Sequence, residues 1–458
     1  MSQLSKKLAV GAAAMAVAAS LFASAGTASA YTTVTQDEDA LATYDVDALS
    51  ELDNSNAPAM VVTPKKYANQ TTERKIHTFK TTAGNANYTF RTKLFLPTVI
   101  KGKRWSTIQS FEMVGKYLYE VVLDEKAKDK GFIARWDMDI LSAGGIDGGS
   151  WALRDMRYGE YGAQKKALKQ GPRITIGHGQ SLAYNPADGM LYMWGNDQDS
   201  SAVYHELEQI DPNTMNITKV YKFKTIANNG KSATTSHNLV FDNDGHFYYE
   251  QIQQTPTPGT TSGAVKIYRG TIADEKVSIE LLPQLIKNRP GTLGQSLGYN
   301  SATGDMYLVS DGAFTAFPIA KLAEGTLTAD DLKYTVLNTK REMEGIDFDD
   351  NGDIYILLAQ GPEIISTQAA AKTLVSPVPK IKGTVKVGKT VKAVGPYWNY
   401  PDAKVAYRWV LDGKVVSKNK SYKIPAKAAG KTLRLKIIGK KSGVKSATVA
   451  TKAVTVKK

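Results

Sequence analysis

One pattern recurs five times and constrains the fold more than anything else in the chain. A polar residue is followed two places later by an apolar anchor and four places later by Met or an aromatic. A turn containing Gly comes next, and an apolar–Tyr pair closes the unit. The polar residues are Gln109, Gln180, His237, Gln295 and Glu344; the anchors are Phe111, Leu182, Leu239, Leu297 and Ile346. The closing tyrosines are Tyr119, Tyr192, Tyr248, Tyr307 and Tyr355. Successive copies lie 71, 57, 58 and 49 residues apart, which leaves room for four short antiparallel strands in each unit. Repeats of this size with Asn/Asp-Gly turns are the signature of a β-propeller. One small sheet cannot bury both faces alone, whereas five arranged radially can. The expectation is therefore an all-β chain with a five-bladed β-propeller over 73–368. Six blades would result if the long first interval hid a degenerate copy. An array of β-sandwiches is the competing architecture, but it would not need the same polar position in every unit. Only Pro318–Ala323 reads as a helical turn.

The ends of the chain differ from this body. Lys6 and Lys7 precede an apolar run from Leu8 to Leu21, and Ala28, Ser29 and Ala30 supply the small residues of a cleavage site. Residues 1–30 thus read as a secretory signal peptide, which makes the protein secreted. Residues 31–72 are acidic and lack strand periodicity, and are expected to form a flexible, partly disordered leader. No later run approaches ~20 apolar residues, so no membrane span is expected. There is no cysteine, which excludes thiol catalysis and Cys-based zinc sites and leaves a secreted fold held by its core alone.

After a short linker, 369–375, residues 376–458 carry 19 lysines and 2 arginines against 2 acids, a net of +19, while the rest of the chain is at −5. Alternating runs such as Leu433, Leu435 and Ile437, and an Asp412-Gly413 hairpin turn, indicate seven or so short strands and a small Ig-like β-sandwich. Anionic cell-wall polymers or surface glycans are the partners such charge would attract on an exported protein; nucleic acid is excluded by location rather than chemistry. The alternative is that Lys only solubilises a small sandwich and blunts its edges. Lys440 and Lys441 are candidate polyanion contacts. Trp398 and Tyr397, in "PYWNYP" with Tyr400, form either an aromatic platform for sugars or a core corner.

The five polar positions share the parity of their buried anchors, so they are expected to converge on a central channel, with His178 aimed at the same mouth. Amides, an imidazole and a carboxylate in a ring suit a polyol, an ion or ordered water; the bland reading is that they hold water and loops. No cofactor is expected, although a channel-bound ion would be compatible with the ring. A metal set of His178, His237 and Glu344 has no support in local spacing. Asp242–Gly245 and Asp349–Asp353 look like calcium loops but lack a downstream bidentate Glu, and read as plain hairpin turns. A glycosidase needs two or three channel carboxylates, whereas Glu344 is the one acid among the ring positions and Asp347 has the opposite parity. No nucleophile elbow, zincin motif or P-loop occurs, so no catalytic residue is assigned.

Two stretches, "EGIDFDDNGDIYILLAQGPE" (344–363) and "GHGQSLAY" (177–184), resemble the helveticin J family of large bacteriocins. The wording of the tail resembles the Ig-like repeats on secreted proteins of Gram-positive actinobacteria. The resemblance implies a secreted, non-lytic antibacterial protein that acts at the envelope of related bacteria, through a surface glycan or a receptor on the target cell, with a tail that associates with the cell wall. The rival functions are a glycan hydrolase using the propeller channel and a surface adhesin that does not kill.

Overall fold

The computed structural model describes residues 30–42, 49–54, 67 and 75–458, apart from short stretches within the last, the longest being 155–161 and 253–263. The expected signal segment lies outside the described residues except for Ala30.

The body's strands divide into five antiparallel blades, of which the fourth and fifth belong to one nine-stranded sheet because Thr78–Gly84 pairs with both Lys333–Leu337 and Thr89–Phe95. The first blade is Ile108–Val114, Tyr117–Asp124, Ala127–Asp137 and Leu168–Gln170. The second is Ala183–Asn185, Met190–Trp194, His205–Ile210 and Ile217–Lys224. The third runs from Val240–Phe241 and Phe247–Ile252 to Val265–Ala273, whose outer edge pairs with both Lys276–Leu281 and Gln284–Ile286. The fourth is Gly294–Asn300, Asp305–Ser310, Ala313–Pro318 and Lys333–Leu337. The fifth has Met343–Phe348, Ile354–Leu358 and Glu363–Ser366, and takes its outer strand from the start of the body, Thr89–Phe95. Each blade's first strand neighbours the next, and that of the fifth neighbours that of the first, so the ring closes.

The reason the strands form is visible in their burial. Large apolar and aromatic side chains of adjacent blades interdigitate; Trp194, Phe223, Phe247 and Tyr249, for example, belong to one cluster shared by the second and third blades. Inner strands approach so closely that Gly is required at the contacts. A Cβ on Gly298 would lie 2.6 Å from Ile346 Cγ2, and one on Gly345 would lie 3.0 Å from Phe111 Cδ1. Among the described residues the long first interval holds no sixth blade. It holds two short helices, Met138–Ala143 and Gly162–Ala167, beside the first blade. The expected helical turn is the helix Ile319–Glu324, which starts after Pro318.

The leader differs from expectation. Thr32–Asp39 pairs in parallel with Ile217–Lys224, and Ser50–Leu52 with Gln284–Ile286, so the leader adds edge strands to the second and third blades. The Gln36 side chain bonds both backbone groups of Val277. These strands show little apolar alternation because they are held mainly through main-chain hydrogen bonds, with Val34 partly buried against the core and Leu41 and Leu52 as buried anchors.

Residues 380–455 form two sheets around one core: Lys380–Lys382, Thr390–Val394 and Ser421–Lys423 face Lys414–Ser417, Lys404–Leu411, Thr432–Lys441 and Val444–Ala450. Trp409, Leu433, Leu435 and Ile437 fill the space between them. Asp412 and Gly413 both adopt positive φ, 43° and 83°, as a two-residue hairpin turn needs.

Candidate functional site

The first strands of three blades carry a bulge at the repeated polar position. Ile108 and Ser110 pair with the adjacent residues Val122 and Val121, which leaves Gln109 as the extra residue. Gln295 and Glu344 are extra in the same way, between Gly294 and Ser296 and between Met343 and Gly345. A bulge re-aims one side chain and shifts the phase of the strand, so simple parity does not describe these positions.

Three of the six expected residues are brought together. Gln180 Nε2 donates to Gln295 Oε1 at 3.1 Å and to Glu344 Oε2 at 2.5 Å. Gln295 Nε2 donates in turn to Asp311 Oδ1 at 3.1 Å. The hydroxyl of Tyr67, from the leader, donates to Asp311 Oδ2 at 2.6 Å. All four ring members of the chain Gln180–Gln295–Glu344–Asp311 are buried. Burial pushes the Glu344 carboxyl well above the usual carboxylate range, with Glu342 and Asp311 adding repulsion against the Gln180 hydrogen bond. Burial also raises Asp311, against three hydrogen bonds that lower it. Burial thus works against charge on Glu344, and the cluster is joined by the hydrogen bonds among Gln180, Gln295, Glu344 and Asp311. Asp311, Glu342 and Tyr67 lie outside the repeat, and the sequence pattern gave no sign of them.

The other expected positions behave differently. Gln109 is buried, with its stem beside Gly179 and its Oε1 without a partner among the described residues. His237 is a correction: its ring is exposed and bonds Asp197 Oδ2 at 2.9 Å through Nδ1, away from the three-residue cluster. Asn238, next in the chain, is the buried residue there, and it bonds Glu250. The His178 ring lies against that of His237, centroids 4.3 Å apart and planes tilted by 32°, and its own Nδ1 is 2.8 Å from Gln198 Nε2. Burial lowers the His178 pKa, and His237 lowers it further. Asp197, whose carboxylate also accepts from the His178 backbone at 2.6 Å, organises both histidines. They and Glu344 therefore have different partners and form no common ligand set.

The channel beneath is a space of about 50 Å³ lined by Gln180, Glu112, Asp347, Ser296 and the inner-strand glycines. Burial raises both the Glu112 and Asp347 carboxyls, Asp347 to about 7, and their mutual repulsion adds to the rise of Glu112. Glu112 accepts from the Tyr184 backbone and Asp347 from Met113 and Phe348. Two channel acids were therefore missed by the parity reading. A space of this size holds a few waters or an ion, while ligand pockets occupy roughly 300–1,000 Å³. A whole sugar does not fit inside this space.

The turn carboxylates are occupied locally. Asp188, Asp242 and Asp349 accept from the closing tyrosines Tyr192, Tyr248 and Tyr355 at 2.5, 2.9 and 3.1 Å. Asp242, Asp244 and His246 form, among the described residues, the group close enough to share an ion, but Asp242 already accepts from His246 and Tyr248.

The aromatic motif of the tail is a clasp. Trp398 is buried with Leu374, Tyr400 and Ala403, and Ile76 of the body packs on them. Tyr397 packs on the first-blade core, and its carbonyl accepts from Ser150 Oγ at 3.0 Å. Asn399 exchanges hydrogen bonds with Val375 and Thr373 of the linker, and the Tyr400 hydroxyl donates to Ala371. Trp398 and Tyr397 thus join tail to propeller and offer no exposed platform. Lys440 is exposed, and Lys441 is bound to Asp402 at 2.7 Å beside a groove between the two bodies.

No family model matches the chain and no curated protein does. Similar solved structures include the WD40 β-propeller domain of Doa1, 11% identical over 60% of this chain and 98% of that one, TM-score 0.27. A streptogramin B lyase is 10% identical over 65% of this chain and 99% of that one, TM-score 0.27. An exo-β-1,3-galactanase from Phanerochaete chrysosporium is 10% identical over 80% and 94%, TM-score 0.36. At this level the likenesses assign no site. Among the described residues no helix is long and apolar enough to cross a membrane.

Proposed function

We propose that the protein is exported and binds anionic polymers of bacterial surfaces through its C-terminal sandwich, holding the propeller at the envelope as a bacteriocin-type antibacterial protein. One observation carries the binding part. On the strand pair Lys404–Leu411 and Thr432–Lys441, Lys404 lies opposite Lys440 and Arg408 opposite Lys436. Like charges directly opposite each other destabilise a sheet by some tenths of a kcal/mol each. A stripe that retains them is suited to a polyanion, which would neutralise them on binding. Of the tail lysines only Lys441 is not exposed. The antibacterial part rests on the resemblance of 177–184 and 344–363.

The test is retention on isolated Gram-positive walls across a salt series, with viability of indicator strains measured in parallel. Retention at about 50 mM salt and release by about 500 mM are expected, because surface attraction is screened over roughly 8 Å or less. Retention unaffected by salt, or by Lys404→Glu with Lys436→Glu, would overturn the binding reading. Retention with full viability would leave an adhesin.

A further inference from the structure

A groove of about 430 Å³ lies where the propeller meets the tail, within the size range of small-ligand sites and at the kind of boundary where they occur. One wall comes from the strand Thr89–Phe95, whose alternation puts Arg91 and Lys93 on the same side. The other comes from Tyr400, Asp402 and Lys441. The clasp of Trp398 and Asn399 fixes the distance between these walls, so the groove is built rather than incidental.

Its charges are unequally committed. Lys441 is held by Asp402 at 2.7 Å and lies over the Tyr400 ring, 5.5 Å from its centroid. Lys93 Nζ donates to Gln368 Oε1 at 2.5 Å. The Arg91 side chain is exposed and has no hydrogen-bond or ion-pair partner among the described residues. Three cations against one carboxylate leave the groove positive, with a free planar fork of donors matched to a phosphate or carboxylate. Between the charges the lining supplies hydroxyl and amide groups, from Thr78, Ser366, Ser442 and Gln368, beside one aromatic ring. That is the complement of an acidic sugar: an anionic group for Arg91 and Lys93, hydroxyls for the rest.

We propose that this groove binds a saccharide unit bearing a phosphate or carboxylate group. Because Arg91 and Asp402 at its edges are exposed, the unit can belong to a longer polymer. The groove shares no residue with the stripe of Lys404, Arg408, Lys436 and Lys440, so either can fail alone.

The experiment is titration calorimetry of the full mature chain with glucose 1-phosphate, glucuronic acid, glucose and inorganic phosphate. Expected are binding of either acidic sugar at least tenfold tighter than glucose and than inorganic phosphate, and a loss of tenfold or more in Arg91→Ala. Arg91→Lys should be intermediate, and Lys431→Ala, far from the groove, should bind as wild type. The thermal midpoint of Arg91→Ala should match wild type, since the side chain is exposed. Glucose equal to its phosphate, inorganic phosphate equal to both, or undiminished binding by Arg91→Ala would each overturn the proposal. Salt-sensitive wall retention that persists in Arg91→Ala would leave the tail reading intact while the groove fails.

Discussion

The Tyr67 hydroxyl lies 2.6 Å from Asp311 Oδ2, so a residue of the leader is bonded into the buried cluster at the propeller centre. Asp311 passes that bond through Gln295 to Gln180 and Glu344. One residue preceding the first blade thus contributes to a network drawn from the second, fourth and fifth.

Replacing that hydroxyl should loosen the leader without disturbing the ring. Tyr67→Phe is expected to lower stability by about 1 kcal/mol, the typical net value of one hydrogen bond. Limited proteolysis should cut within 55–74 several-fold faster than in wild type, while the propeller core stays resistant. Equal cutting rates would show that the bond does not restrain the leader.

Acid should stabilise this protein relative to mild alkali. Burial raises Glu120 to about 8 against the Trp136 hydrogen bond, and Glu250 to about 7 against the Arg289 charge and the Asn238 hydrogen bond. A carboxyl with a raised folded pKa binds more protons folded than unfolded, so stability falls as pH rises from the ordinary carboxylate range, near 4.5, toward 8. Glu120→Gln keeps an acceptor for the Trp136 indole, now 2.8 Å from the carboxyl, and removes the titration. Denaturant unfolding at pH 5 and pH 8.5 should show a smaller loss in the variant, by roughly 4 kcal/mol. Equal losses would exclude Glu120 as a source.

Lys436→Glu separates stability from binding. Opposite Arg408 it replaces a repulsive cross-strand pair with an attractive one, worth about 0.5 kcal/mol. The midpoint of unfolding should rise slightly while retention on anionic walls falls. A variant that loses both, or neither, would contradict the assignment of the stripe to binding.

Trp398→Ala removes the centre of the clasp. Its indole is 3% exposed, and deleting a buried Trp costs about 3–5 kcal/mol. The loss should fall on the junction, so calorimetry should resolve two transitions where wild type gives closer ones. Trp398 packs against Gly439 on the inner side of the strand pair whose outer side carries Lys404, Lys436 and Lys440, so salt-sensitive wall retention should persist; its abolition together with folded secondary structure would return Trp398 to a binding role.

Much of the fold could be read from the chain because the repeat encodes local chemistry. The Asp–Tyr pairs at Asp242 and Tyr248, and at Asp349 and Tyr355, need only a tight turn and a neighbouring strand, and both are visible as spacing. The leader strands were not legible: parallel edge pairing at Thr32–Asp39 uses the main chain and asks for no apolar alternation. The cluster was legible only in part. Gln295 and Glu344 stand at bulges, which no periodicity announces, and Asp311 and Tyr67 lie outside the repeat. His237 precedes Leu239 by two residues, but the blade's first strand begins only at Val240, so strand parity does not extend to it.

The outer strand Thr89–Phe95 makes the propeller a fold that is sealed last. Ser366 must find Arg91 before the fifth sheet exists, and everything between them is already part of the circle. In a chain emerging from its N-terminus, Thr89–Phe95 appears before the first blade and its partner Glu363–Ser366 only after the other four blades, so their pairing closes a long loop at a large entropic cost. A product ending before Glu363 would keep two unpaired sheet edges, the kind of surface that pairs with other chains. Completeness of the polypeptide and solubility of the molecule are therefore tied to the same few hydrogen bonds.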